Sequence, residues 1–183
     1  MGKNNVYGLF GAADGAKISN LIIGAEGDAI TLTGTPDITP SVAGVVGYAE
    51  NTTIANVTNN VSIILEGECP QAMPTSLAGI VGSGFNVALG GKSKDNAVVN
   101  NGDILVKSKV ANAQAGGTGL QVAGIMAYVK QGTGSQFINC TNNAHITGPN
   151  GRGGGILASI YGSAKAGNKV TVSKCVNNGL LED

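Results

Sequence analysis

Two short patterns of apolar and small residues alternate along the chain. The first is a glycine and two large apolar residues closed by another small residue. It reads Gly8-Leu9-Phe10-Gly11, Gly44-Val45-Val46-Gly47, Gly79-Ile80-Val81-Gly82, Gly124-Ile125-Met126-Ala127 and Gly155-Ile156-Leu157-Ala158. The second sets an apolar residue ahead of paired asparagines. It reads Val57-Thr58-Asn59-Asn60, Val98-Val99-Asn100-Asn101, Cys140-Thr141-Asn142-Asn143 and Cys175-Val176-Asn177-Asn178, with Leu21-Ile22-Ile23-Gly24 as a divergent first copy. Successive motif glycines lie 36, 35, 45 and 31 residues apart. Self-similarity at such a period marks stacked repeats, each too small to bury its own apolar face.

The second repeat shows how local signals build one coil. Val42 to Tyr48 is a short apolar run bounded by glycines, followed by a turn at Ala49-Glu50-Asn51-Thr52. Thr53 to Val57 then alternates with period two, the asparagine pair makes a corner, and Val61 to Leu65 is a further strand. Each Gly-apolar-apolar unit is expected to be a strand of one parallel sheet. Side-chain parity then puts Leu9, Val45, Ile80, Ile125 and Ile156 in one ladder and Phe10, Val46, Val81, Met126 and Leu157 on the opposite face. The expected fold is an all-β parallel β-solenoid of about five imperfect repeats, one domain over residues 1–183, cut from a longer surface protein.

Composition supports sheets with tight corners. Thirty glycines accompany many β-branched residues and asparagines, and only 12% of residues are charged against about 25% in ordinary domains. Asn59, Asn60, Asn100, Asn101, Asn142, Asn143, Asn177 and Asn178 are read as structural corner residues. Asparagine tolerates a left-handed backbone, and stacked amides can bond along the axis. The alternative is that they line a polar ligand groove. Cys140 and Cys175 occupy one position of successive repeats and are expected to be buried, reduced neighbours standing in for Val57 and Val98. Cys69 has no repeat partner.

Candidate chemistry is sparse. Net charge is zero, Arg152 is the single arginine, there is no tryptophan, and lysines cluster only at Lys92-Ser93-Lys94 and Lys107-Ser108-Lys109. That pattern does not suit nucleic acid, which calls for a basic stripe with aromatic platforms. Acidic residues do not cluster as a metal site requires, so no metal and no cofactor is expected. Glu66 and Glu68 share a strand face, and Asp14, Glu50 and Asp95 sit near equivalent corners. None has a histidine or arginine in its own repeat, as an acid–base site would need. The lone His145 follows an asparagine corner and reads as a surface or hydrogen-bonded strand residue. Gly151-Arg152-Gly153-Gly154-Gly155 lacks the Lys-Ser/Thr ending of a phosphate loop. Tyr48, Tyr128 and Tyr161 follow their repeat glycines closely. They are candidate ligand-binding residues along one side of the stack, or else they close the end of the apolar ladder.

Gly8-Leu9-Phe10-Gly11, Ala43-Gly44-Val45-Val46-Gly47-Tyr48 and Ala78-Gly79-Ile80-Val81-Gly82, each followed by an Ile-x-Asn-like segment, resemble the GLUG repeat of large bacterial surface and secreted proteins. Adhesin-like proteins of Bacteroidetes are among them. The resemblance runs from Tyr7 to Asn178, departing at Ala127 and Ala158 where a second glycine is expected. It implies an extracellular or cell-surface adhesion or structural module without catalytic residues. Its partner would be a host or bacterial surface protein or a glycan. A carbohydrate-binding or polysaccharide-degrading β-helix is the alternative. No 18-residue apolar run that could span a membrane is present.

Overall fold

The computed structural model describes residues 5–33, 40–67, 75–107, 119–130, 134–148, 151–161 and 169–182. Within them the chain is a parallel β-solenoid of five coils, each visiting four sheets in turn. In the second coil the strands are Pro40–Ala43, Val46–Glu50, Thr53–Asn59 and Ser62–Leu65. Each pairs in parallel with its counterparts in the coils before and after. Among the described residues the only helix is a single 3-10 turn, Lys94–Asn96, capped by the Ser93 hydroxyl.

The Gly-apolar-apolar unit is not a strand. It is the corner at which the chain passes from the first sheet, ending at Ala43, to the second, beginning at Val46. The stacking across coils is as expected, with Phe10, Val46, Val81, Met126 and Leu157 in one register. The assignment to opposite faces fails. A corner breaks strand parity, so Val45 and Val46, Ile80 and Val81, and Ile125 and Met126 all enter the same core between the second and third sheets. A second core, with Val42, Ile63, Leu65, Leu77, Ile104, Val122 and Ile146, fills the space between the first and fourth sheets.

The small residues of the unit follow from this corner. Ala78, Ala123 and Ala127 pack together, joined by Ala158, where the first and second sheets fold against each other. A β-carbon on Gly47 would lie 2.6 Å from the Tyr7 amide nitrogen and 2.9 Å from the Ser41 carbonyl, so backbone approaches backbone there. The leading glycine has a different neighbour. The three atoms nearest to a β-carbon on Gly44 all belong to the Asn59 side chain, and β-carbons on Gly79, Gly124 and Gly155 would collide with Asn100, Asn142 and Asn177. The two motifs that alternate in the sequence are therefore the two halves of one contact across the coil.

The asparagines do stack, in two ladders of opposite polarity. In the inner ladder the Asn59 amide donates to Asn100 Oδ1 at 2.9 Å, Asn100 to Asn142 at 2.9 Å and Asn142 to Asn177 at 2.8 Å. In the outer ladder Asn178 donates to Asn143 at 2.8 Å, Asn143 to Asn101 at 2.8 Å and Asn101 to Asn60 at 2.9 Å, and Asn60 ends it on the Gly24 carbonyl at 3.0 Å. Each inner amide also donates to the carbonyl two residues on, those of Val61, Gly102, Ala144 and Gly179, at 2.9–3.0 Å. Asn59, Asn100 and Asn142 are fully buried.

None of the eight paired asparagines has positive φ, so the left-handed role expected for them is corrected. That role falls to other positions. Asn20, Asn56, Asn139 and Lys174, at φ 52–59°, form one column of bends within the third side, and Asn51 and Asn86 another. Asn56 donates to Asn20 and Asn86 to Asn51 at 2.8 and 2.7 Å, so these bends carry amide ladders of their own. The paired asparagines instead end an extended strand and bridge to the next sheet.

The two ladders differ in burial, and stability should register the difference. Asn100→Ala removes a buried amide that serves the coils on both sides. Unpaired buried groups cost about 1–3 kcal/mol each, so a loss of at least about 3 kcal/mol is expected by denaturant unfolding. Asn101→Ala, in the exposed outer ladder, is expected to cost under about 1 kcal/mol. Equal losses would contradict the assignment.

Candidate functional site

The second sheet carries the candidate site on the side away from the core. Ala49 and Val129 point into the apolar interior, while Tyr48 and Glu50 leave it and face each other along the strand, the tyrosine hydroxyl donating to Glu50 Oε2 at 3.2 Å. Strand register extends this into two outward rows. One holds Ala12, Tyr48, Ser83, Tyr128 and Ser159, and the other Asp14, Glu50, Phe85, Lys130 and Tyr161.

Aromatic rings alternate between these rows on successive coils, as Tyr48, Phe85, Tyr128 and Tyr161. With coils about 4.8 Å apart, the four rings span roughly 14 Å along the axis. The structure thus places all three expected tyrosines on one face, and Tyr128 and Tyr161 are in contact, with ring centroids 6.4 Å apart and planes tilted by 33°. Serines alternate with the rings in the first row and leave room for them. Ser83 shares a 2.8 Å hydrogen bond with Ser41 on the neighbouring sheet, and Arg152 donates to Ser159 at 3.3 Å. Burial raises the pKa of Tyr48, as do the charge of Glu50 and its hydrogen bond. Burial also raises that of Tyr128, against the opposing charge of Arg152. Both phenols remain protonated donors at neutral pH.

Phe85 has no place among the candidates that the sequence offers. Counted from its repeat glycine it is legible: Tyr48 and Tyr128 lie four residues after Gly44 and Gly124, while Phe85 and Tyr161 lie six after Gly79 and Gly155. An offset of two keeps a side chain on the same face of a strand, so four and six are neighbouring rows of one surface. The polar groups are arranged asymmetrically around the strip. Asp14 and Glu50 are register partners at one end, and Asn51 donates to Asp14 at 3.2 Å, while Lys130 and Arg152 stand near the other.

Among the described residues the other candidate groups do not assemble into a site. His145 Nε2 lies 3.0 Å from Glu182, its backbone amide donates to Asp103, and Glu66 pairs with Lys107 at 3.2 Å in solvent. Asp95 belongs to the exposed 3-10 turn, far along the chain from Asp14 and Glu50. Glu68 and Cys69 lie outside the described residues. No group of three or more His, Cys, Asp or Glu side chains converges as metal ligands among the described residues. Nor is any helix there long and apolar enough to cross a membrane.

No family model, curated protein or solved structure matches the chain. The likeness to the GLUG repeat therefore rests on the motif residues alone.

The cysteine ladder is present with one correction. Cys140 opens a strand and Cys175 directly precedes the strand paired with it, so the register set by Thr141 and Val176 makes these free thiols neighbours, but only Cys140 is fully buried. Cys175 is half-buried because its coil ends the described stack. The asymmetry separates their chemistry. The neighbouring sulfur and burial push the Cys140 thiol up, and both thiols donate to backbone carbonyls, Cys140 to Leu89 and Cys175 to Phe137 and Ser173. Under native conditions a thiol reagent is expected to label Cys175 before Cys140. Faster labelling of Cys140 would contradict the burial order.

Proposed function

We propose that the chain is a non-catalytic adhesion module of the bacterial cell surface or exterior, and that it engages saccharide through the aromatic strip of the second sheet. The observation that carries this reading is the regular alternation of Tyr48, Phe85, Tyr128 and Tyr161 over four successive coils. Sugar rings present apolar C–H faces to aromatic rings and hydroxyls to amides, carboxylates and cations, and the strip offers the rings with those groups at its margins. A solenoid holds such groups at fixed spacing without loop ordering, which limits the entropic cost of binding an extended chain.

Three observations support the non-catalytic part. The carboxylates nearest the strip, Asp14 and Glu50, are hydrogen-bonded to Asn51 and Tyr48. His145 stands on the fourth side of the coil, away from the strip. The remaining polar ladders serve the scaffold itself. The GLUG-like motifs support the extracellular setting.

A glycan array, run beside a polysaccharide-degradation screen, tests the reading. Binding of an oligosaccharide is expected, weakened roughly tenfold, about 1.4 kcal/mol, by Phe85→Ala or Tyr128→Ala. Asn101→Ala, on another side of the coil, should leave binding unchanged. Released oligosaccharide would contradict the non-catalytic reading. Binding that survives loss of both rings would remove the strip from it, and no binding at all would favour a bare structural stalk.

A further inference from the structure

The charges along the strip of rings are sorted by sign and kept apart. Asp14 and Glu50 are register partners on adjacent coils of one outward row, although like charges side by side are unfavourable. Phe85 takes the next rung of that row and Lys130 the one after. Glu50 and Lys130 are therefore two coils apart, roughly 10 Å along the axis, with an aromatic ring between them. Across that distance in solvent their attraction is well under about 1 kcal/mol.

On the fourth side the scaffold does set acids against basic groups of the neighbouring coil. Lys107 meets Glu66 at 3.2 Å, and His145 Nε2 meets Glu182 at 3.0 Å. On the strip this does not happen: among the described residues no carboxylate lies within ion-pairing distance of Lys130 or Arg152. Both side chains are exposed. Lys130 is the register partner of Tyr161, and Arg152 reaches Ser159, the register partner of Tyr128. Two cations thus stand beside the two rings that touch each other. The Ser159 hydroxyl engages one guanidinium nitrogen of Arg152 and leaves other N–H groups of its planar fork for a ligand.

We propose that the saccharide engaged by the strip is acidic and lies in one direction, with a uronic acid carboxylate held by Lys130 and Arg152 over Tyr128 and Tyr161 and uncharged units over Tyr48 and Phe85. This assignment rests on the saccharide reading of the strip and adds the charge and the polarity of the ligand. A uronic acid keeps the apolar face of its ring for stacking and carries its carboxylate at the rim, where the cations stand. Arginine receives a planar carboxylate through two parallel hydrogen bonds, which fixes orientation as well as adding affinity. The opposite end selects by repulsion. Asp14 and Glu50 disfavour a second carboxylate there, so a chain charged at every unit fits less well than one charged at a single unit.

Calorimetric titration with oligosaccharides carrying one galacturonic or glucuronic acid unit, each set beside its carboxyl-reduced neutral counterpart, tests this. The acidic form is expected to bind roughly tenfold tighter at low salt, and the ratio should shrink as salt rises. Replacing both cations, Lys130→Gln with Arg152→Gln, should bring the ratio close to one. Lys107→Gln makes the same change of charge on the fourth side and should leave the ratio intact. Glu50→Gln should improve binding of a galacturonate tetramer, which is acidic at every unit; no gain there overturns the assigned direction. Neutral forms that bind as tightly as acidic ones, with Phe85→Ala or Tyr128→Ala weakening both, overturn the acidic assignment and leave the saccharide reading standing. A preference for sulfated saccharides that persists after carboxyl reduction overturns the uronic acid. No binding of any form, or binding indifferent to loss of both rings, removes the saccharide reading and this assignment with it.

Discussion

The side chains of Asn59, Asn100 and Asn142 lie against the α-carbons of the glycines that open their own coils, and most of the architecture depends on that contact. A buried primary amide needs every hydrogen accounted for. Here one is given to the carbonyl two residues on and the other to the next asparagine in the stack. The arrangement works only if the opposite corner of the coil has no side chain, since a β-carbon there would occupy the space of the amide. Glycine is thus favoured at the corner between the first two sheets by the asparagine at the end of the third and, at Gly79 and Gly124, also by the carbonyl of the next coil's glycine, which would collide with a β-carbon there. The two apolar residues after that glycine are then both directed into one core, and the small residue beyond them allows two sheets to fold together.

Opposite polarity in the two ladders has a further consequence. The inner amides all donate toward the last coil and the outer ones toward the first. Two chains of aligned dipoles a residue apart and pointing in opposite directions offset each other along the axis, so coils can be added without building up a large field. Bends needing positive φ are kept apart from these ladders, at Asn20, Asn56 and Asn139. In the last coil Lys174 holds the same left-handed conformation, at φ 54°, without a side chain suited to it. The outward rows of the second sheet carry the rings, beside their own hydrogen bonds from Tyr48 to Glu50 and between Ser83 and Ser41.

Much of this is legible in the sequence. The repeat, the parallel solenoid, the stacked asparagines and the neighbouring cysteines follow from period and residue type. The errors share one physical origin. Gly44-Val45-Val46-Gly47 has the composition of a buried strand, and nothing local reveals that the chain turns within it. The side chain that leaves no room for a β-carbon at that turn is Asn59, fifteen residues later and across the coil. Likewise the conspicuous asparagine pairs suggest a left-handed bend, whereas single asparagines such as Asn56 and Asn139 supply it. Phe85 is easily missed because its coil carries the ring two positions later than the second and fourth coils do, a shift that becomes meaningful only once the sheet is known.

A double-mutant cycle on Gly44 and Asn59 addresses the central contact directly, since the three atoms nearest to a β-carbon on Gly44 all belong to the Asn59 side chain. Gly44→Ala and Asn59→Ala should each destabilise the protein, the first by crowding the amide and the second by breaking the inner ladder. In the double variant the crowding by the amide is gone, so its loss should fall short of the sum of the two single losses by more than about 1 kcal/mol. Losses that add to within about 0.5 kcal/mol would show that glycine and asparagine recur together for separate reasons, and would contradict the dependence of the corner on the amide.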